Sequence, residues 1–147
     1  MTIFLLFAAL AAGVANPFQS GTNAELNKQL GSPMWATITV YCSGLLGLLL
    51  IQMFVRGALP GAAKIASVPW WAWLGGLISI ISTMVAVTIA QRLGSGVFTG
   101  ASITASLVTS VLLDHFGLIG FARHPASPLR MAGCAVMIAG FWMVTKF

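Results

Sequence analysis

The chain has 147 residues, of which 59% are hydrophobic and 6% charged, with a formal net charge of +5. A water-soluble domain carries about 25% charged residues, so a soluble globular class is excluded; nucleic-acid binding is excluded too, because Lys28, Arg56, Lys64, Arg92, Arg123, Arg130 and Lys146 stand singly or in loose pairs, not as a stripe that tracks phosphates. What remains is an integral membrane protein in a lipid bilayer, built as a single domain over residues 1–147.

The first predicted span covers about residues 3–26. Its opening, MTIFLLFAALAAGVAN, has the apolar run of a secretory leader but lacks a basic stretch before it, and the helical pattern continues beyond it, so it reads as a membrane helix. At about 100° of rotation per helical residue, Asn16, Gln19, Ser20, Asn23 and Asn27 fall in one stripe, with Asn27 near or past the edge of the hydrocarbon. An amide with no partner in hydrocarbon is costly by several kcal/mol, so the stripe faces protein or water, and Asn16, Gln19, Ser20 and Asn23 are candidates to bind a small-molecule solute. Gluing helices together is the competing role for the same amides. Pro17 lacks the N–H that would bond the Gly13 carbonyl, which predicts a kink or local opening, and Gly13 and Gly21 flank it to allow a neighbouring helix close. Glu25 lies off the stripe, near the end of the span.

The second span, about 34–55, follows the break NKQLGSP. It carries Ser43, Gly44 and Gly47 as a small face, Tyr41 deep enough to reach a cavity, and Gln52 near an end. The third, about 70–92, follows RGALPGAAKIASVP and opens with Trp70, Trp71 and Trp73; with Trp35 and Trp142 these suit an interfacial aromatic belt. Gly75, Gly76, Ser79, Ser82 and Thr83 give it a small-residue face.

The fourth span, about 96–115, follows QRLGSG. Thr99, Ser102, Ser106, Thr109 and Ser110 share a face that, with Gly96 and Gly100, suits close packing or a dimer contact. Most of these hydroxyls are expected to bond the carbonyl one turn earlier or a partner helix. Asp114 ends the span beside His115, and GFARHPASP leads to the fifth span, about 129–146. Cys42 and Cys134 sit in apolar runs with no second ligand near in sequence, and read as small core residues.

No nucleophile elbow, metal-ligand pattern or phosphate-cradling glycine loop occurs, so no enzyme, metal or cofactor is expected. A buried carboxylate that trades protons would lie deeper than Glu25 or Asp114, leaving both as weak candidates for proton coupling. Counting basic residues by side sets Arg56, Lys64, Arg123 and Arg130 against Lys28, Arg92 and Lys146. So small a bias fits either a fixed orientation with the amino terminus inside or insertion in both directions.

The segments NPFQSGTNAELNKQLGSP, VPWWAWLGG and LLDHFGLIGFARHPASPLRMAGCAVMIAG resemble the short YdcZ-like branch of the drug/metabolite transporter superfamily. The resemblance implies an all-α bacterial inner-membrane protein of five transmembrane helices, similar to one half of a ten-helix EamA-type transporter. It also implies a homodimer, antiparallel if the halves are inverted, or a heterodimer with a short paralogue. Gln19 and Asn23 match the family's polar positions, Asp114 its acidic position, and Gly133 and Gly140 its last-helix glycines. The small multidrug-resistance relatives carry a glutamate in the first helix where this chain has amides, which favours a neutral or zwitterionic solute over a polyaromatic cation. A dimeric secondary transporter working by alternating access is the expectation; the alternative is a non-transporting subunit that stabilises a larger membrane partner.

Overall fold

The computed structural model describes residues 2–146. Among them are α1 (Thr2–Leu30), α2 (Pro33–Val55), a short α3 (Ala62–Ala66), a 3-10 turn over Trp70–Trp73, α4 (Leu74–Leu93), α5 (Ser95–Phe116) and α6 (Pro128–Lys146). Five helices, the third counted from Trp70, are long and apolar enough to cross a bilayer. The chain divides into two compact units, Met1–Arg92 and Leu93–Phe147.

The helix ends follow from local chemistry. Gly31 takes the left-handed φ of 64° that ends α1. Ser32 then caps α2, its side chain accepting from Trp35 N at 3.4 Å, and Pro33 fills the first turn, where no N–H is needed. At the other end Arg56 closes α2 at φ 49°, its N–H bonding the Gln52 carbonyl, while Gln52 Nε2 donates to Gly57 O at 2.6 Å. Gln52 thus spends its amide on finishing its own helix.

α1 runs to Leu30, four residues past the expected boundary, and it continues through Pro17 without interruption. Its 29 residues, at about 1.5 Å each, make a rod of roughly 43 Å, longer than the roughly 30 Å of hydrocarbon. One end therefore projects into the headgroup layer, where the amides of Asn27 and Gln29 remain helical because water and neighbours can satisfy them. The tryptophan cluster lies in the 3-10 turn before α4, and Trp70 is 75% exposed.

In the first unit α1 packs on α2. Its buried residues are Asn23, Ala24, Ala36, Thr37, Val87 and Ala90. All belong to the last third of α1, the first turns of α2 and the last turns of α4, which is one end of the unit. Toward the other end Phe4, Leu45, Leu49, Phe54 and Ile78 are exposed, as expected of side chains meeting lipid or protein in a membrane. Cys42 is exposed and Cys134 half-buried, both free. The core position expected for Cys42 is corrected: it lies on the outer side of α2, where a small apolar residue is equally at home against lipid.

In the second unit α5 packs on α6. The contact is close at Gly100, where an added methyl carbon would stand 3.0 Å from Phe141 Cδ2. The α5–α6 connection turns on Gly117 at φ 64° and Gly120 at φ 81°, with Ile119 also left-handed at 54°. Arg130 pairs with Asp114 at 3.1 Å, Ala126 N donates to His115 Nδ1 at 3.0 Å, and His124 N donates to the Asp114 carbonyl at 2.8 Å. The loop is thus tied to both helices it joins. At the far end of α6, Lys146 lies over the Trp142 ring at 4.8 Å.

Candidate functional site

The first-helix stripe splits by depth into parts with different work. Asn16 is exposed, Gln19 lines a cleft, Ser20 Oγ is buried without a hydrogen-bond partner, and Asn23 is only 9% exposed. Asn27 reaches furthest: its Nδ2 donates to the Val87 carbonyl of α4 at 2.8 Å. Gln91 of α4 returns the gesture, donating Nε2 to the Ala24 carbonyl of α1 at 2.7 Å.

The cleft lies within the first unit and has a volume of about 600 Å³, inside the roughly 300–1,000 Å³ range of small-molecule sites. Its lining is Gln19 from α1, Val40, Tyr41, Gly44, Leu45 and Leu48 from α2, and Ser79 and Thr83 from α4. The spacing explains the assembly: Tyr41, Gly44, Leu45 and Leu48 follow i, i+3, i+4, i+7 on one face of α2, and Ser79 and Thr83 are one turn apart on α4. Gly44 leaves open space, with nothing within 4 Å of an added Cβ.

The Tyr41 hydroxyl lies 2.6 Å from Ser79 Oγ and 3.1 Å from Thr83 Oγ1. A phenol has one proton to donate, so at least one of the two alcohols donates to the phenolic oxygen. The Gln19 carboxamide has no hydrogen-bond partner among the described residues. The cleft therefore carries a satisfied hydroxyl cluster from α2 and α4 and, from α1, an amide with two donor hydrogens and an acceptor oxygen to offer. No charged residue lines it.

Of the five expected solute ligands, Gln19 and Tyr41 meet at this cleft, while Asn16, Ser20 and Asn23 are not among its lining residues. Ser79 and Thr83 are the additions; their one-turn spacing was visible in the sequence, but as a small packing face rather than as partners of a tyrosine. Gly13 and Gly21 have no heavy atom within 4 Å of an added Cβ. Glu25 pairs with Lys28 at 3.8 Å and accepts from Gln29 at 2.6 Å, and Asp114 pairs with Arg130, so both carboxylates are engaged with neighbours outside the cleft. Gly96, unlike Gly100, has open space beside it. Thr99, Ser102, Ser106, Thr109 and Ser110 form no side-chain hydrogen bond among the described residues, so the bonds expected to the preceding turn are not made.

Residues 4–143 match the family DMT_YdcZ, described as "Putative inner membrane exporter, YdcZ". No curated protein and no solved structure matches the chain. With five helices able to span a bilayer and a family match over nearly the full length, the chain is a multi-pass inner-membrane protein whose family role is transport rather than catalysis. It belongs to the YdcZ family of drug/metabolite-type transporters.

Proposed function

We propose that the chain is a secondary transporter that binds a small, uncharged, hydrogen-bonding solute in the cleft between α1, α2 and α4, and works as a dimer by alternating access. The observation that carries this reading is the Gln19 carboxamide, which lines the same cleft as the Tyr41 hydroxyl cluster and has no partner among the described residues. An amide there can donate and accept at once, as an uncharged polar solute requires.

The absence of charge from the lining separates solute classes. An ion moved from water into this cleft would give up hydration with no countercharge in return, a loss of several kcal/mol, whereas a neutral solute exchanges hydrogen bonds at little net change. Neutral solutes are therefore favoured over zwitterions, and both over cations. Val40, Leu45 and Leu48 add an apolar wall that suits a solute with a hydrocarbon portion. The family description favours export as the direction.

Dimerisation is supported by the near-balanced basic residues and by the unpartnered polar groups of α5, which a second five-helix copy could cover. Thermal-shift measurement on the detergent-purified protein against neutral, zwitterionic and cationic panels tests the reading. A neutral polar solute is expected to raise the midpoint, and Gln19→Leu to remove that rise while leaving the unliganded midpoint near its original value. A response to cations alone, or one that survives Gln19→Leu, would reject the assignment.

A further inference from the structure

The first unit is closed at one end. Its six buried residues gather where α1 ends, α2 begins and α4 ends, and the Asn27 and Gln91 bonds cross between α1 and α4 at that end. Gln19 is eight residues before Asn27, and Ser79 eight before Val87. At about 1.5 Å per residue each interval is roughly 12 Å, so the crossing lies a little over two helical turns from the cleft.

We infer that Asn27 and Gln91 form a releasable clasp that closes one mouth of the transport pathway, a function that rests on the alternating-access reading above. Three features suit them to it. Each donates across to the other's helix, one residue bonding the carbonyl four before its counterpart and the other the carbonyl three before. Each accepting carbonyl also lies inside a helix, where it receives an N–H from the next turn, so release leaves no orphaned acceptor. Each amide is near a helix end and only half-buried or exposed, so water can replace the lost bond. A tie of two such bonds holds a closed state without trapping it. Asn27 and Gln91 touch no solute; they are positioning residues for transport.

The test reads accessibility directly and needs no solute. In a Cys42→Ser, Cys134→Ser background, Thr37→Cys reports the closed end, where Thr37 is 3% exposed, and Leu48→Cys reports the cleft on its other side. Both are labelled with a water-soluble maleimide in lipid nanodiscs. Removing one bond, by Asn27→Ala or Gln91→Ala, is expected to raise the labelling rate of Thr37→Cys about fivefold and the pair more, while that of Leu48→Cys falls. Asn27→Asp, which keeps the size and removes the donated hydrogen, is expected to behave as Asn27→Ala.

Unchanged rates in the alanine variants, or wild-type behaviour of Asn27→Asp, would overturn the clasp. A rise at Thr37→Cys with no fall at Leu48→Cys would overturn it as well, because it would mean simple loosening. The outcome separates from that of the solute site: if Gln19→Leu keeps its ligand response while clasp variants shift labelling, the site fails and the clasp stands. The reverse pattern removes the clasp and leaves the site.

Discussion

In the unit of α1, α2 and α4, polar side chains reach between helices: Asn27 to Val87, Gln91 to Ala24, Tyr41 to Ser79 and Thr83. In the unit of α5 and α6, among the described residues, only Arg130 to Asp114 does so, at the loop end of the two helices. There the helices meet through Gly100 against Phe141 and through a loop tied by Asp114, His115, His124 and Arg130, while the hydroxyls of α5 have no partner among the described residues. The difference teaches that the number of polar residues in a span says little about their use. An amide or a phenol is long enough to bridge a neighbour at ordinary helix separation, while a serine hydroxyl reaches across only where backbones come very close.

The sharpest way to break the contrast is to empty the bridging set at the cleft. Gln19→Leu combined with Tyr41→Phe is expected to reduce transport in proteoliposomes roughly ten- to a hundredfold, the loss of two hydrogen bonds to the solute or its pocket. Near-normal flux would show that the cleft is packing space. Next in size, Gly100→Leu drives a side chain into Phe141 and should destabilise the second unit by about 1–3 kcal/mol, seen as a lower melting temperature in detergent. An equal drop from Gly96→Leu, where there is open space, would mean that helix propensity or lipid contact sets the effect instead.

Smaller effects sharpen the same distinction. Asp114→Asn removes the pair with Arg130, whose side chain is 43% exposed against 26% for the carboxylate, and is expected to lower stability by at most about 1 kcal/mol. A larger loss would give the loop more weight than its partly solvated pair suggests. Smallest of all, Glu25→Gln should leave both transport and its pH profile unchanged, because the carboxylate lies outside the cleft and is exposed. Loss of pH dependence in that variant would place proton movement on α1 after all.

Hydropathy made the five spans legible, and the end of the fourth, at about 115, falls one residue short of Phe116. It stopped α1 early, because Asn27, Lys28 and Gln29 look like the start of a loop to any scale that scores polarity alone. The structure keeps them helical, since a helix that leaves the hydrocarbon tolerates polar and charged side chains that water can solvate. Within the site, Gln19 and Tyr41 were readable as polar residues too deep for lipid. Their meeting with Ser79 and Thr83 was not, because spacing along a helix fixes which residues share a face but not which face of another helix it meets. The same limit hid Gln91, which sits in a stretch that reads as the edge of a span and turns out to bond back to α1.

The closed end of the first unit is lined chiefly by Ala24, Ala36 and Ala90, with Val87 as its one larger buried apolar side chain. Alanine has no rotamers to surrender when it is packed, and valine few, so bringing these surfaces together orders almost nothing beyond the helices themselves. Contact made of such residues can part and re-form as a rigid-body event, without waiting for long side chains to find their places.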